Sequence, residues 1–544
     1  MPAAGFSEQI KKIFTFERTF LLILFLAVFL RFYFLDLKLL HHDEAIHAWF
    51  SYDLLTKGAW VYDPSYHGPF LYYVTAGMFA LVGDSDLVAR LLPALFGTLL
   101  IPLVYYIYRL GYLDQKQTLF AGLFLAVSPD IVYFSRFLRH DIFMLFFTLL
   151  LLVALLWYFD RGQTRYAILA AIAVAGGLSC KEEMPVILLI FGIFFFYAIW
   201  KKRFILPPGW KTDLIISVIL VIAIMSVLYS AFGAHISTLV GQDYMLNTTG
   251  WYQAIEHWTA MHNQQRLGGP WFFYIPLLLL YEVPIFILAM IGTIQFIISG
   301  TNVTLALKRA KNWITHRTYS LPTPELVAVS LRQLTKRDQE SKKSDEFFRF
   351  CIWWMLLSMA FYAYVGEKVP WLLIHQLLPM TFVAVYKLNW QKAAFAIIGT
   401  LFLIAMTWHI AFVPVDINEP IMQVQNSEDM RTVMNIIDHS DKIVLASKNY
   451  WPLPWYYRGD RWDKITFYAD KEDETTLTGS RPATIILHDG ASYESLEGYN
   501  KTTHKLSYWF SFYDNEDRLS DYYLHRDGKM GSMNLDIFTR INST

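Results

Sequence analysis

The run FLLILFLAVFLRFYF at residues 20–34 decides the fold class, and HHDEAIHAWF at residues 41–50 follows it almost at once. A helix that crosses a bilayer needs about 20 mostly apolar residues, which this run and its flanks provide. The composition agrees, since 55% of the 544 residues are hydrophobic and 17% are charged, whereas a soluble domain carries about 25% charged residues. We expect an integral membrane protein whose first helix is retained, because no small-residue cleavage site follows the run.

Eleven segments are apolar and long enough to predict membrane-spanning helices. They lie near residues 18–38, 87–110, 117–135, 141–159, 165–180, 184–200, 212–233, 272–299, 347–364, 371–387 and 392–413. Pro69–Val82 is apolar but shorter, which favours an interfacial or re-entrant helix. With a cytoplasmic N-terminus, Lys and Arg then gather in the loops of one side, as the positive-inside rule requires. The predicted fold class is an all-α membrane domain of about 11 transmembrane helices with juxtamembrane helices in the first outer loop.

The composition changes near residue 415, where long apolar runs stop. SEDMRTVMNIID predicts an amphipathic helix, and KIVLAS, KITFYA and ATIILHD predict short strands. We therefore predict a transmembrane catalytic domain at 1–414 and an extracytoplasmic soluble α/β domain at 415–544.

Ionisable residues crowd the loops and helix ends predicted to face outward. Such residues at membrane depth are costly and usually functional. The candidate catalytic residues are the carboxylates Asp43, Glu44 and Asp141. The candidate substrate-binding residues are Arg90, Arg139, His140, Lys181, Glu182, Glu367, Lys368 and His375. In the long loop 234–270, the residues His235, Glu256, His257, His262 and Arg266 favour core or surface roles.

The charge balance and the missing motifs restrict the chemistry. Lys plus Arg and Asp plus Glu both number 46, so net charge gives no indication of a nucleic-acid partner. The phosphate loop GxxxxGK(S/T) does not occur, and no GxGxxG follows a predicted strand. Because an outward-facing site has no nucleotide pool, an activated substrate must arrive through the membrane. A lipid-linked phosphate meets that demand.

Several short motifs carry a family resemblance. They are Asp43-Glu44 after the first span, HGPFLYY at 67–73, ARLLPALFG at 89–97 and RFLRHD at 136–141. The chain thereby resembles the GT-C membrane glycosyltransferases, in the branch of the protein O-mannosyltransferases and the aminoarabinose transferase. GEKVPWL at 366–372 and YWPLPWYYR at 450–458 are similar to an archaeal group, the flippase-activity-associated proteins, which implies an archaeal chain.

The resemblance implies a reaction and roles for several residues. The donor would be a polyprenyl- or dolichyl-phosphate sugar, transferred with inversion to an acceptor hydroxyl of a glycan, a lipid or a protein on the extracytoplasmic face. Asp43 matches the family's base, and Arg90 and Asp141 match residues of its site. By charge, Arg90, Arg139, Lys181 and Lys368 are candidates to stabilise the leaving phosphate.

Some alternatives stay open at this level. A divalent metal is a possible cofactor, with His42, Asp43 and His47 as candidate ligands, since Asp43 and His47, or Glu44 and His47, can share a helix face; headgroup contact or simple surface histidines are favoured slightly. A lipid-linked sugar flippase or flippase accessory protein is the alternative function. The aromatic cluster WPLPWYY at 451–457 is a sugar platform, a lid or, as the favoured reading, packing between domains. Glu282 either lines a cavity or pairs with a basic side chain.

Overall fold

The computed structural model describes residues 15–58, 63–230, 268–300, 324–469, 473–488, 493–511 and 513–541, with 232, 256, 257, 259 and 260. The predicted roles of His235, His262 and Arg266 lie outside these residues. The helices before the C-terminal sheet are α1 Phe16–Phe32, α2 His42–Lys57, α3 Phe70–Val82, α4 Asp86–Arg109, α5 Gln115–Val127, α6 Pro129–Ser135, α7 His140–Arg161, α8 Thr164–Leu178, α9 Met184–Trp200, α10 Trp210–Tyr229, α11 Tyr274–Tyr281, α12 Val283–Gly300, α13 Pro324–Tyr364, α14 Leu373–Ala384 and α15 Trp390–Phe412.

Local sequence signals set many of these boundaries. Ser85 and Asp114 cap α4 and α5 by accepting a backbone N–H in the first turn. Gly58 and Gly162 end α2 and α7 in the left-handed conformation, which glycine adopts without steric cost. The helix ends therefore follow from residues that are readable in the sequence.

The predicted membrane-spanning segments form helices of different lengths. Among the described residues, five helices are long and apolar enough to cross a membrane, or seven if each of two bent pairs is one span. The prediction of eleven spans is not confirmed. The four other predicted segments form helices of 17, 15, 17 and 12 residues, which are short for a bilayer crossing. Helix α3 has 13 residues, in keeping with the prediction that it is too short to span.

Two helices break inside the membrane part, and the breaks contact each other. Helices α5 and α6 meet at 57°, and α11 and α12 meet at 112° around Glu282. Glu282 Oε1 accepts hydrogen bonds from Ser128 Oγ (2.5 Å) and the Asp130 amide (3.1 Å). Glu282 therefore caps α6, and no ion pair with a basic side chain occurs there among the described residues, so this alternative is not supported.

The C-terminal part contains a six-stranded sheet in the order β1-β5-β6-β4-β2-β3. The strands are β1 Gln425–Asn426, β2 Ile443–Ala446, β3 Ile465–Tyr468, β4 Thr484–His488, β5 Tyr499–Phe510 and β6 Met530–Arg540; the helices are α16 Met430–Asp438, α17 Leu453–Tyr456, α18 Glu474–Gly479 and α19 Leu519–His525. Strand β2 pairs in parallel with β3 and β4, and the other pairs are antiparallel. The three predicted strands and the predicted helix are confirmed as β2, β3, β4 and α16. The boundary at 414/415 stays a prediction.

The aromatic cluster of the tail packs onto the membrane part, as the favoured reading predicted. Trp455 Nε1 and the Tyr456 hydroxyl donate to the two carboxylate oxygens of Asp86, each at 2.7 Å. The Leu40 amide donates to the Tyr456 hydroxyl (3.1 Å), and Asn426 Nδ2 donates to the Leu40 carbonyl (2.6 Å). The tail thus holds the chain directly before α2.

Candidate active site

The start of α2 fixes the direction of Asp43. The His41 Nδ1 atom accepts a hydrogen bond from the Asp43 amide (3.0 Å), and the His41 amide donates to Glu44 Oε2 (2.9 Å). A capping box usually begins with Ser or Thr, and here a histidine takes that place. Because residues i and i+4 share a helix face, Asp43 and His47 both point to one side of α2.

That side of α2 faces a polar cavity of about 200 Å³. Segments around residues 43, 66, 139, 182 and 369 converge on it, although they are far apart in sequence. Its charged, histidine and aromatic lining residues are Asp43, His47, Tyr66, His67, Arg139, Lys181, Glu183, Glu367 and Trp371. Of the predicted site residues, the structure therefore brings Asp43, Arg139, Lys181 and Glu367 together at one cavity.

Arg139 is the central cation of the cavity. Its Nη1 forms an ion pair with Asp43, and its Nε donates to Asp141 Oδ2 (3.0 Å). The guanidinium lies over the Trp371 ring, 3.7 Å from the ring centre. Burial raises the pKa of Asp43, but Arg139 together with His41, His42 and His47 lowers it by more, so that pKa lies well below its ordinary value.

Lys181 is the second cation of the cavity. Its ammonium donates to Asp141 Oδ1 (2.8 Å) and pairs with Glu183 Oε1 (3.0 Å). Burial lowers the pKa of Lys181, but Asp141 and Glu183 raise it by more, so the pKa lies above its ordinary value. The side chain is therefore a buried cation at neutral pH.

Asp141 lies behind both cations rather than in the cavity. Its side chain is 1% exposed and joins Arg139 to Lys181. His375 Nε2 lies 3.6 Å from Asp141 Oδ1, the oxygen that Lys181 also contacts, and the buried His140 contacts the Gly68 carbonyl (3.0 Å). The residues Asp141, His140 and His375 therefore position the cavity residues and do not line the cavity.

Two neutral imidazoles line the cavity beside these charges. The Tyr72 hydroxyl donates to the Tyr66 carbonyl (2.8 Å), so its oxygen accepts from His47 Nδ1 (2.9 Å). This pattern leaves the proton on Nδ1 and a lone pair on Nε2, which is buried and has no hydrogen-bond partner among the described residues. Burial lowers the pKa of both His47 and His67 to about 3, so both rings are neutral near pH 7.

His67 is positioned by a close approach of two backbones. The Gly68 amide donates to the Cys180 carbonyl (3.1 Å), and the Phe70 amide donates to the Ser179 carbonyl (3.0 Å). A Cβ atom at Gly68 would lie 2.2 Å from the Ser179 carbonyl oxygen, so only glycine fits. These backbone hydrogen bonds place His67 Nδ1 2.9 Å from Glu182 Oε2. Glu182 itself does not line the cavity.

Arg90 and Glu44 bind each other, which differs from their predicted roles. Arg90 donates to both Glu44 oxygens (2.8 and 2.5 Å) and to the carbonyls of Leu35, Lys38 and Leu39. Glu44 also accepts from the amides of Leu138 (2.7 Å) and His41. All five guanidinium donors and both carboxylate oxygens are occupied. This pair therefore joins α2 to α4 and leaves no donor for a phosphate.

Lys368 also differs from its prediction as a phosphate ligand. Its ammonium donates to the carbonyls of Tyr362 (2.8 Å), Ala363 (2.9 Å) and Val365 at the C-terminus of α13. These three contacts use its three donors. Lys368 therefore holds the loop that presents Glu367 and Trp371 to the cavity.

The predicted metal ligands do not assemble into a metal site. No group of three His, Cys, Asp or Glu side chains suited to a metal occurs among the described residues. Asp43 pairs with Arg139, His47 contacts Tyr72, and His42 is absent from the cavity lining.

Sequence reasoning missed four lining residues: Tyr66, His67, Glu183 and Trp371. All four lie in or beside segments that the sequence already singled out, namely HGPFLYY, the pair Lys181-Glu182 and GEKVPWL. Proximity to such a motif was the available signal. Which of the neighbouring side chains faces the cavity depends on the backbone conformation, which the motif does not reveal.

Comparisons with known proteins match the membrane part and the fold. A family model described as dolichyl-phosphate-mannose-protein mannosyltransferase matches residues 66–229. The undecaprenyl phosphate-alpha-4-amino-4-deoxy-L-arabinose arabinosyl transferase 1 of Pseudomonas fluorescens is 25% identical over 356 residues. That alignment takes in 62% of this chain and spans about half, 53%, of the relative.

Solved structures extend the match to the tail. ArnT from Cupriavidus metallidurans, bound to undecaprenyl phosphate, aligns with a TM-score of 0.53 at 15% identity, over 86% of this chain and 93% of its own. The oligosaccharyltransferase of Archaeoglobus fulgidus aligns with a TM-score of 0.52 at 14% identity, over 85% and 65%. The matched family model, the curated relative and the solved structures are all of the GT-C superfamily, and this chain is similar to them. That likeness and the several apolar helices indicate an integral membrane protein. The curated relative is bacterial, so the implied archaeal source finds no support in it.

Proposed function

We propose that this GT-C protein is an inverting glycosyltransferase that moves a sugar from a polyprenyl-phosphate donor to an acceptor hydroxyl on the extracytoplasmic face. One observation carries the proposal. The cavity combines a carboxylate, Asp43, with two buried cations, Arg139 and Lys181. A transfer from a sugar phosphate needs a proton acceptor on one side of the anomeric carbon and positive charge on the other.

The chemistry assigns a role to each of these groups. The acceptor oxygen attacks the sugar C1 and forms the new glycosidic bond, while the bond from C1 to the phosphate oxygen breaks. The acceptor proton goes to Asp43, and the bonding electron pair leaves with the polyprenyl phosphate. Arg139 and Lys181 stabilise the charge on that phosphate, and losing one such preorganised group typically costs about 2.7–4 kcal/mol.

The neutral face of the cavity suits the sugar. His47 lines the cavity as a neutral ring, because burial lowers its pKa to about 3. Trp371 and Tyr66 add aromatic surface beside it.

An apolar groove supports a lipid-linked donor. It has a volume of about 540 Å³ and is lined by α7, α8, α9 and α10. Along α8 it extends from Ala167 to Leu178, which is roughly 16 Å at 1.5 Å per residue. Leu178 is three residues before Lys181, so a chain in this groove would place its phosphate near the cations. The similar ArnT structure from Cupriavidus metallidurans has undecaprenyl phosphate bound.

The test is sugar transfer from labelled polyprenyl-phosphate donors by the purified full chain in lipid nanodiscs. Asp43→Asn should abolish transfer, while the matched control Asp53→Asn, on the same helix but paired with Lys57 at the surface (2.7 Å), should retain it. A deletion strain provides a second test: a sugar should be missing from surface glycans, and its lipid-linked precursor should accumulate on the extracytoplasmic face of the membrane. Precursor trapped on the cytoplasmic face would refute transfer and support translocation.

A further inference from the structure

Both cations of the cavity are already paired with carboxylates. Arg139 contacts Asp43 and Asp141, and Lys181 contacts Asp141 and Glu183. With Glu367, which also lines the cavity, four carboxyl groups surround two cations, and the two lining histidines are neutral. A phosphodiester that entered this arrangement unchanged would meet an excess of negative charge.

The exposure of each carboxylate indicates which one can give way. The side chain of Asp141 is 1% exposed, whereas that of Asp43 is 28% exposed and that of Glu183 is 19% exposed. Asp141 contacts both cations from behind, and Trp371 supports the Arg139 guanidinium from its face. Asp43 and Glu183 therefore hold the cavity side of the cations, where a phosphate would bind.

We propose that the donor phosphate binds by exchange, replacing Asp43 on Arg139 and Glu183 on Lys181 while Asp141 keeps both cations in place, and that this exchange releases Asp43 to accept the acceptor's proton. The inference rests on the proposed function and adds an order of events to it. In the resting protein the base is masked by Arg139, and the arriving donor unmasks it.

The electrostatics of Asp43 agree with this order. Burial raises the pKa of Asp43, and Arg139 holds it low. Once a phosphate occupies the guanidinium, the lowering contribution is lost and a negative charge lies nearby, so the pKa of Asp43 rises. A carboxylate with a higher pKa is a stronger base, and it becomes so only when a donor is present.

The experiment measures binding of undecaprenyl phosphate to the full chain in nanodiscs, which requires no turnover. Asp43→Asn and Glu183→Gln each remove a competing charge, so each should tighten binding by about tenfold, the factor that corresponds to about 1.4 kcal/mol. Asp141→Asn removes the support behind both cations and should weaken binding at least as much. Asp53→Asn is the matched control and should leave the affinity unchanged.

Asp43 pairs with Arg139 and Glu183 pairs with Lys181, so the test stays decisive if one of the two variants folds poorly. Thermal unfolding of each variant without ligand shows whether it is folded. If both Asp43→Asn and Glu183→Gln bound undecaprenyl phosphate no more tightly than the wild type does, the exchange would be overturned. Binding that requires Mg²⁺ and is lost in Asp43→Asn would also overturn it, because the carboxylates would then hold a cation. Inorganic phosphate should reproduce the order of affinities, and an order seen only with the lipid would contradict headgroup exchange.

The two proposals fail differently. A wild-type chain that transfers no sugar, with the predicted order of affinities intact, refutes the transfer reaction. A chain that transfers sugar, with the order of affinities reversed, refutes the exchange alone.

Discussion

Replacing Asp141 with asparagine removes a negative charge from behind both cavity cations and keeps nearly the same side-chain size. Asp141 accepts from Arg139 Nε at 3.0 Å and from Lys181 Nζ at 2.8 Å. None of the three side chains is more than 8% exposed, so solvent screens these contacts little. The variant therefore tests whether Asp141 holds the cations where a phosphate needs them.

The expected loss follows from those two contacts. A hydrogen bond to a charged group contributes about 1.5–3 kcal/mol, so the pair contributes about 3–6 kcal/mol. The asparagine oxygen can still accept one of the two donors, which halves the loss to about 1.5–3 kcal/mol. Since about 1.36 kcal/mol is a factor of ten in rate, kcat/KM should fall about 10- to 10²-fold.

The variant should also change the pH dependence. Asp141 and Glu183 raise the pKa of Lys181 above its ordinary 10.5, against the effect of burial. The pairing therefore stabilises the folded protein below about pH 10 and is lost as the pH rises through the folded pKa. Without Asp141, burial remains and the pKa of Lys181 falls, so activity should decline at a lower alkaline pH than in the wild type.

The assay is sugar transfer and undecaprenyl phosphate binding at several pH values, with thermal unfolding as the folding control. Asp536→Asn is the matched control, because Asp536 is also a buried carboxylate paired with a lysine, Lys501 (2.9 Å), and it lines neither the cavity nor the apolar groove. Wild-type kinetics and pH dependence in Asp141→Asn, or an equal loss in Asp536→Asn, would refute the positioning role.

Three further predictions concern stability and domain contact. Arg90→Gln leaves Glu44 buried without its partner and should lower the unfolding free energy by about 3–5 kcal/mol. The control Arg109→Gln, at the exposed end of α4, should leave the unfolding free energy unchanged. Equal melting temperatures for the two variants would contradict this prediction. Because the folded pKa of His47 is about 3 against 6.5 unfolded, the unfolded state gains a proton first, and stability should fall as pH drops from about 6.5. In His47→Gln the melting temperature should fall less between neutral and acidic pH than in the wild type, and an equal pH dependence of the melting temperature would count against this prediction. Trp455→Phe keeps an aromatic side chain but removes the hydrogen bond to Asp86, a loss of about 1.5–3 kcal/mol. Amide hydrogen exchange at residues 39–44 should therefore become faster. Exchange rates equal to those of the wild type would argue against docking of the tail on this segment.

The sequence predicted the parts of the fold that depend on local pattern. Each predicted apolar segment forms a helix or a bent pair of helices, and β2, β3, β4 and α16 lie where their patterns indicated. The count of eleven spans is not confirmed, because four of the predicted segments form helices of 12–17 residues, and composition does not report where a helix ends or breaks. Ser128 and Glu282 end helical segments inside apolar runs, and their mutual hydrogen bond exists only in three dimensions.

For the site, the sequence predicted the residue types and could not distinguish neighbours. Asp43 and Glu44 are adjacent, but one faces the cavity and the other caps its own helix. Arg90 and Arg139 carry the same group, and only the second keeps an edge toward the cavity. Such differences arise from long-range contacts, which adjacent letters do not encode.

The hydrogen bonds between the sheet domain and residues 39–41 have a practical consequence for engineering. His41 Nε2 contacts the Gln423 carbonyl, and the Leu39 amide donates to Glu428 (3.0 Å). The sheet domain contributes none of the cavity's described lining residues, but it positions the start of the helix that carries Asp43. A chimera that exchanges specificity between two such proteins would therefore have to transfer the sheet domain together with residues 39–57.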